Sequence, residues 1–161
     1  MWDIGLAGFD EAINYNSCVG AGGAGCPNLG WEIVDDAERG DVLEITHGAQ
    51  FAGLFFESSQ GRDLTSYAAG YVSFDIKVME EGVNYGGFVM KADCFYPCSS
   101  GDQSIGNVGL DGWETVTVPV TQLAAGGLNL TKVNTGLTIF PVFGETDGVV
   151  YRLGNVKWVV E

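Results

Sequence analysis

Along this chain, short runs that are apolar, or that alternate apolar with polar residues, are closed again and again by glycine, asparagine or aspartate, and helical periodicity is nearly absent. A period of two sends successive side chains to opposite faces of an extended strand, so such runs bury their apolar residues by stacking sheet on sheet. The pattern predicts strands over residues 2–9, 30–34, 42–46, 51–57, 71–79, 87–94, 114–120, 137–142 and 149–159, with one-turn helical pieces at 121–125 and 130–133. That number of strands suits an all-β, two-sheet antiparallel β-sandwich of the jelly-roll type. With 161 residues, the expectation is one domain over positions 1–161 with a hydrophobic core of its own. The 25 glycines fall mostly at run ends such as Gly40-Asp41 and Asp147-Gly148, where turns call for them.

Alternation also separates the core from what it leaves outside. In 71–78, Val72, Phe74, Ile76 and Val78 form the apolar set, and Tyr71, Ser73, Asp75 and Lys77 face the other way. In 88–95 the apolar set is Phe88, Met90, Ala92 and Cys94, which turns Lys91, Asp93 and Phe95 outward beside Val89. In 113–120, Val116, Val118 and Val120 point inward and leave Trp113, Thr115 and Thr117 outside. A donor, an acceptor and an aromatic ring on one strand face suit a pyranose, which offers an apolar CH face for stacking and a rim of hydroxyls for hydrogen bonds. Lys91, Asp93 and Phe95 are therefore the leading candidate site, with Tyr71, Asp75 and Lys77 expected from a neighbouring strand. A loop-tip platform of Trp31, Tyr85 and Trp113 is the alternative location.

Charge narrows the partner. Twenty-one acidic residues against seven basic ones give a net charge of −14, with no Lys or Arg cluster to follow a phosphate backbone. Nucleic acid, anionic membrane surfaces and anionic polysaccharides are disfavoured, which leaves neutral glycans. No apolar run approaches the roughly 18 residues of a membrane span, and the opening segment lacks the basic and apolar regions of a leader peptide. The four cysteines form two close pairs, Cys18 with Cys26 and Cys94 with Cys98, whose spacings suit local disulfides better than a four-thiolate zinc site. Disulfides imply an extracellular or periplasmic location. The glycine-rich stretch 20–25 reads as a disulfide-bounded loop, because no Lys-Ser or Lys-Thr follows it as a phosphate loop requires.

Signals for catalysis are weak. His47 is the only histidine and no Gly-x-Ser-x-Gly elbow is present. Carboxylates such as Glu32, Glu44, Glu57, Glu80 and Glu81 could pair across a cleft for glycoside hydrolysis, but the loops look too short to build one. The reading is non-catalytic, with a small jelly-roll glycoside hydrolase or polysaccharide lyase as its rival. Asp10, Glu11 and the Asp35-Asp36 pair could give oxygen ligands to a structural calcium, although no EF-hand spacing occurs.

Three segments of the last third, Gly112-Trp113-Glu114-Thr115-Val116-Thr117-Val118-Pro119-Val120, Gly127-Leu128-Asn129-Leu130-Thr131-Lys132-Val133 and Val149-Val150-Tyr151-Arg152-Leu153-Gly154-Asn155-Val156-Lys157-Trp158, resemble the ending of galactose-binding-like β-sandwich carbohydrate-binding modules. Phe9-Asp10-Glu11, Gly30-Trp31 and Gly40-Asp41-Val42-Leu43-Glu44-Ile45 resemble their opening strands. Phe88-Val89-Met90-Lys91-Ala92-Asp93-Cys94 with the Cys94–Cys98 loop is similar to sandwich domains appended to marine bacterial β-glucanases, including the C-terminal domain of family 3 β-glucan exohydrolases. The resemblance implies a module tethered to a glycoside hydrolase catalytic domain and targeting a polysaccharide, with laminarin-type β-1,3-glucan first and agar-type galactans second. One departure is Gly154, which stands where the related closing strand carries an aspartate that contributes to calcium binding.

Overall fold

A computed structural model describes residues 13–16, by their backbone, and residues 28–161. Among the described residues are ten strands: β1 (Ile13–Asn16), β2 (Leu29–Asp36), β3 (Gly40–His47), β4 (Gly53–Arg62), β5 (Tyr71–Glu81), β6 (Phe88–Asp93), β7 (Gln103–Gly106), β8 (Glu114–Pro119), β9 (Val133–Pro141) and β10 (Val149–Val159). They build two antiparallel sheets, a front sheet in the order β1-β4-β9-β6-β7 and a back sheet in the order β2-β3-β10-β5-β8. One helix, α1 (Val120–Ala125), and 3-10 turns at Thr65–Tyr67 and Leu130–Lys132 complete the described elements.

The core lies between the sheets and is the one that alternation selects. Phe88, Met90, Ala92 and Cys94 from the front sheet meet Val72, Phe74, Ile76, Tyr151 and Leu153 from the back sheet, all fully buried. Each large apolar side chain so placed contributes about 1.5–3 kcal/mol of transfer free energy. Val78, expected in the core, is only partly buried and packs against its rim.

Several expected boundaries change, and β1 has no counterpart among the expected strands. The run 2–9 lies outside the described residues. β7 has no counterpart among the expected strands, since Gln103-Ser104-Ile105-Gly106 is too short to show a period. β9 begins at Val133 rather than at 137, and all nine of its residues are buried. A one-residue register shift at Gly136 interrupts its alternation, so the period of two does not carry back past Leu137.

β9 carries here an irregularity that alternation cannot show. Phe56 pairs with Leu137 but the next residue, Glu57, pairs with Thr135; across the strand Lys91 pairs with Thr138 and Asp93 with Thr135. One extra residue at Gly136 therefore bulges β9 against both of its neighbours, which turns Thr135 and Thr138, three apart, to the same outer face. The Gly136 carbonyl accepts a 3.0 Å hydrogen bond from Trp158 Nε1 on β10, and the Trp158 ring packs edge-on against Tyr67.

His47 ends β3 inside the protein. Its ring stacks on Tyr151 at 5.6 Å, Nε2 lies 3.3 Å from the Tyr151 hydroxyl, and Nδ1 has no hydrogen-bond partner. Burial lowers its pKa from 6.5 to about 4.

These contacts set two expected outcomes. Because the folded pKa of His47 is depressed, the unfolded chain takes up a proton that the folded one refuses; stability is complete above pH 6.5 and falls progressively to about pH 4. Denaturant unfolding at pH 7 and pH 4.5 should differ by up to about 3 kcal/mol more for the native chain than for His47→Phe; equal pH dependence in the two would refute this. Trp158→Phe should cost about 1–3 kcal/mol, since it leaves the buried Gly136 carbonyl without a donor, read as a lower urea midpoint.

Candidate functional site

The outer face of the front sheet is an open cleft of about 810 Å³. Its floor is set by cross-strand register. Phe55 on β4, Thr138 on β9 and Lys91 on β6 form one row, and Glu57, Thr135 and Asp93 form the next. Beyond the first row Gly53 lies beside Phe140; a Cβ there would sit 3.4–3.6 Å from Thr138 and Phe140, so the floor is low at that point. The bulge at Gly136 is what brings Thr135 and Thr138 into this floor together.

Aromatic rings wall both ends. At one end Phe51 meets Phe140 edge-on at 5.0 Å and Phe143 at 5.7 Å. At the other stand Phe95 and Tyr96, and Phe95, Tyr96 and Phe143 are 46%, 76% and 76% exposed, so all three present ring surface to solvent. The Phe95–Tyr96 wall is held by several restraints. Cys94 and Cys98 are disulfide-bonded, Cys94 N–H donates to the Cys98 carbonyl at 2.8 Å, and the Phe95 N–H donates to Asn134 Oδ1. Phe95 has φ of +67°, a left-handed conformation that costs a bulky residue about 1–3 kcal/mol and persists only where its surroundings over-determine it. Its ring leans on Gly61, where a Cβ would come within 2.9 Å of the ring and 3.1 Å of the Lys132 backbone.

Between the walls lies one ion pair. Lys91 Nζ sits 3.3 Å from Asp93 Oδ2 and 4.8 Å from the centroid of the Tyr96 ring, a cation–π distance. Asp93 Oδ1 is buried without a hydrogen-bond partner. Glu57 accepts from Asn134 Nδ2 at 3.4 Å. Among the described residues lining the cleft, Lys91 is the only base, against Glu57, Asp93 and Asp102. The arrangement combines ring faces for CH stacking with hydroxyl, amide, ammonium and carboxylate groups for hydrogen bonding.

Lys91, Asp93 and Phe95 thus sit together as alternation places them, whereas the expected neighbouring strand is corrected. Residues Tyr71, Asp75 and Lys77 belong to β5, which lies in the back sheet; the neighbours of β6 are β7 and β9. On the outer back face their kind of chemistry is already consumed. Arg152 donates to Glu44 at 2.8 Å and to Asp36 at 2.7 Å, and Trp113 Nε1 donates to Asp36 at 3.1 Å. Arg39 lies over the Trp113 ring at 5.4 Å and pairs with Asp75, which also accepts from Thr115 at 2.6 Å; Lys77 reaches Glu38. Burial pushes the Asp36 carboxyl up, but the Glu38 amide, Arg152 and Trp113 outweigh it and hold the pKa at about 2. Trp113 is therefore a strut of this network. Trp31 and Tyr85 are half-buried against the core, and Tyr85 packs on Phe88 at 5.6 Å with burial pushing its hydroxyl up to about 12.

The sequence reading missed Phe51, Phe55, Tyr96, Asn134, Thr135, Thr138, Phe140 and Phe143. For Phe51 and Phe55 the signal was present, since Ala52, Leu54 and Phe56 alternate with them. Asp10, Glu11, Cys18 and Cys26 lie outside the described residues. Among the described residues no group of three or more His, Cys, Asp or Glu side chains comes together to hold a metal. Gly154 is buried, and a Cβ there would meet Val42 at 3.3 Å, an apolar setting.

Residues 15–158 match the Exop_C family, described as galactose-binding domain-like. The fold is similar to that of exo-1,3/1,4-beta-glucanase (ExoP) from a Pseudoalteromonas species, with a TM-score of 0.68 and 12% identity over 99% of this chain and 20% of that one. The chain thus spans a fifth of that enzyme's length. The extra C-terminal domain of the same enzyme gives 0.60 and 15%, covering 84% of this chain and 72% of that one. A family 11 carbohydrate-binding module from Clostridium thermocellum, in complex with a beta-1,3-1,4-mixed-linked tetrasaccharide, gives 0.57 and 18%, covering 97% and 95%. No curated protein matches the chain.

The wall's restraints are testable. In the chain-entropy account, closing the loop between Cys94 and Cys98 limits the unfolded chain by about 2 kcal/mol. The double variant Cys94→Ala/Cys98→Ala should melt roughly 4–8 °C lower by calorimetry. An unchanged melting temperature would remove the disulfide from the wall's support.

Proposed function

Because the chain belongs to the Exop_C family, galactose-binding domain-like, we propose that it is a non-catalytic carbohydrate-binding module whose front-sheet cleft takes a neutral β-glucan. The observation that carries this reading is the Lys91–Asp93 pair set in an open, hydroxyl-lined floor between two aromatic walls. Such a surface stacks on sugar CH faces and bonds to hydroxyls. Neutral ligands fit the local charge, since three carboxylates and one paired ammonium give a uronate or sulfated glycan nothing to bind and much to repel it. β-1,3-Linked glucan of the laminarin type or mixed-linkage glucan is the ligand class that the resemblance and the structural relatives favour, with agar-type galactans behind them. Binding rather than hydrolysis is favoured because the Asp93 carboxyl is engaged by Lys91 at 3.3 Å rather than facing a second carboxyl across the cleft. In this reading the module is secreted and tethers a glycoside hydrolase catalytic domain to its substrate.

Affinity electrophoresis against laminarin, mixed-linkage glucan, agarose, alginate and xylan tests the proposal. Retardation is expected with the β-glucans and absent with alginate, and no reducing ends should be released. Lys91→Ala should weaken binding roughly 5- to 100-fold, because a donor is lost and Asp93 is left unpaired. Trp113→Ala should leave affinity within about twofold while lowering the melting temperature. Retardation by none of the panel would sink the glycan reading, and binding lost in Trp113→Ala but kept in Lys91→Ala would move the site to the back face.

A further inference from the structure

Resting on the glycan-binding reading, we propose that the Lys91–Asp93 pair recognises a vicinal diol, two free hydroxyls on adjacent ring carbons, and thereby selects 4-linked over 3-linked β-glucosyl units. A lysine ammonium carries three donors and an ionised carboxylate about four acceptor sites, and their 3.3 Å contact uses one of each. Tyr96 offers the ammonium only its ring. Asp93 Oδ1 has no hydrogen-bond partner within the protein although Asp93 is only 8% exposed, and a buried carboxylate oxygen is costly to leave unpaired. Asp93 lines the cleft, and Oδ2 keeps lone pairs beyond the one that Lys91 uses, so the carboxyl can accept from the cleft while keeping Lys91. The pair therefore presents a donor and an acceptor side by side, both charged. Their complement is two neighbouring hydroxyls, one donating to Asp93 while the next accepts from Lys91.

The position of the linkage decides which glucosyl units carry that pair. In a 4-linked unit the hydroxyls at carbons 2 and 3 are both free and adjacent. In an internal 3-linked unit the oxygen at carbon 3 lies in the glycosidic bond, and the free hydroxyls at carbons 2 and 4 flank it without being neighbours. A laminarin chain thus offers a diol only at its rare end, whereas mixed-linkage glucan offers one at every 4-linked unit. The laminarin-first expectation is revised accordingly: a site built to bond hydroxyls rejects a unit lacking one far more strongly than an apolar pocket rejects a change of shape.

Isothermal titration of the chain with cellohexaose, mixed-linkage glucan and laminarin tests this. Cellohexaose and mixed-linkage glucan should bind at least about tenfold more tightly than laminarin. Lys91→Met, which keeps the apolar stem, should bring cellohexaose down to the affinity of laminarin while the variant still melts in one cooperative transition. Laminarin bound as tightly as cellohexaose would overturn the diol assignment and leave the glycan reading standing. Failure of all three to bind would overturn the diol assignment together with the β-glucan reading.

Discussion

The hydrogen bond from the Trp158 indole to the Gly136 carbonyl joins the two sheets at the one place where β9 is displaced against both of its neighbours. A bulge frees a backbone group from the ladder, and a free carbonyl facing the core of a sandwich is tolerated only with a donor. Trp158 gives that donor from the opposite sheet and fills the adjoining space with its ring, which rests on Tyr67. The bulge is thus fixed from behind. Its effect appears on the other side, where Thr135 falls in line with Glu57 and Asp93 and Thr138 with Phe55 and Lys91. Without the extra residue, one of the two threonines would point into the core and the cleft floor would lose a hydroxyl.

The two outer faces use the same residue types to opposite ends. On the back sheet, Asp36 accepts from Arg152, Trp113 and the Glu38 amide, and Asp75 accepts from Thr115 beside Arg39, so acceptor capacity is filled by the protein itself. On the front sheet, Lys91 and Asp93 make one contact with each other and keep the rest of their capacity, while the rings around them stand open. A face whose polar groups are satisfied gains nothing from a sugar hydroxyl, because each new bond must displace an old one. A face with unused donors and acceptors gains. This difference in saturation, more than the inventory of residues, separates a stabilising surface from a binding one.

Much of this was legible from spacing. The alternation through 88–95 places Phe88, Met90, Ala92 and Cys94 inside and Lys91, Asp93 and Phe95 together outside, because a strand with one covered face leaves a period of two. What spacing does not provide is which strands lie side by side. β5 and β6 follow one another in sequence yet belong to different sheets, so Tyr71, Asp75 and Lys77 fall on the face opposite to the one expected. Asp75 and Asp93 look alike in sequence, each alternating with apolar neighbours, and only tertiary partners distinguish the filled carboxylate from the open one. The bulge at Gly136 hides Thr135 and Thr138 for a related reason: an inserted residue breaks the period through which a strand is read.

The acidic composition takes on a specific meaning once the cleft is known. A net charge of −14 sets up a field that repels anions at long range, yet the only base among the described residues of the cleft is already neutralised by Asp93. Lys91 therefore acts as a directed hydrogen-bond donor more than as a charge, and it is held ready by Asp93 and the Tyr96 face. A hydroxyl-bearing neutral chain gains from fixed donors and acceptors without needing a field to draw it in, whereas a carboxylated or sulfated chain meets the field and finds, among the described residues of the cleft, only a cation already paired. Discrimination against anionic glycans is in this way a property of the whole surface, while discrimination among neutral ones rests on a few side chains whose positions depend on a single bulged strand.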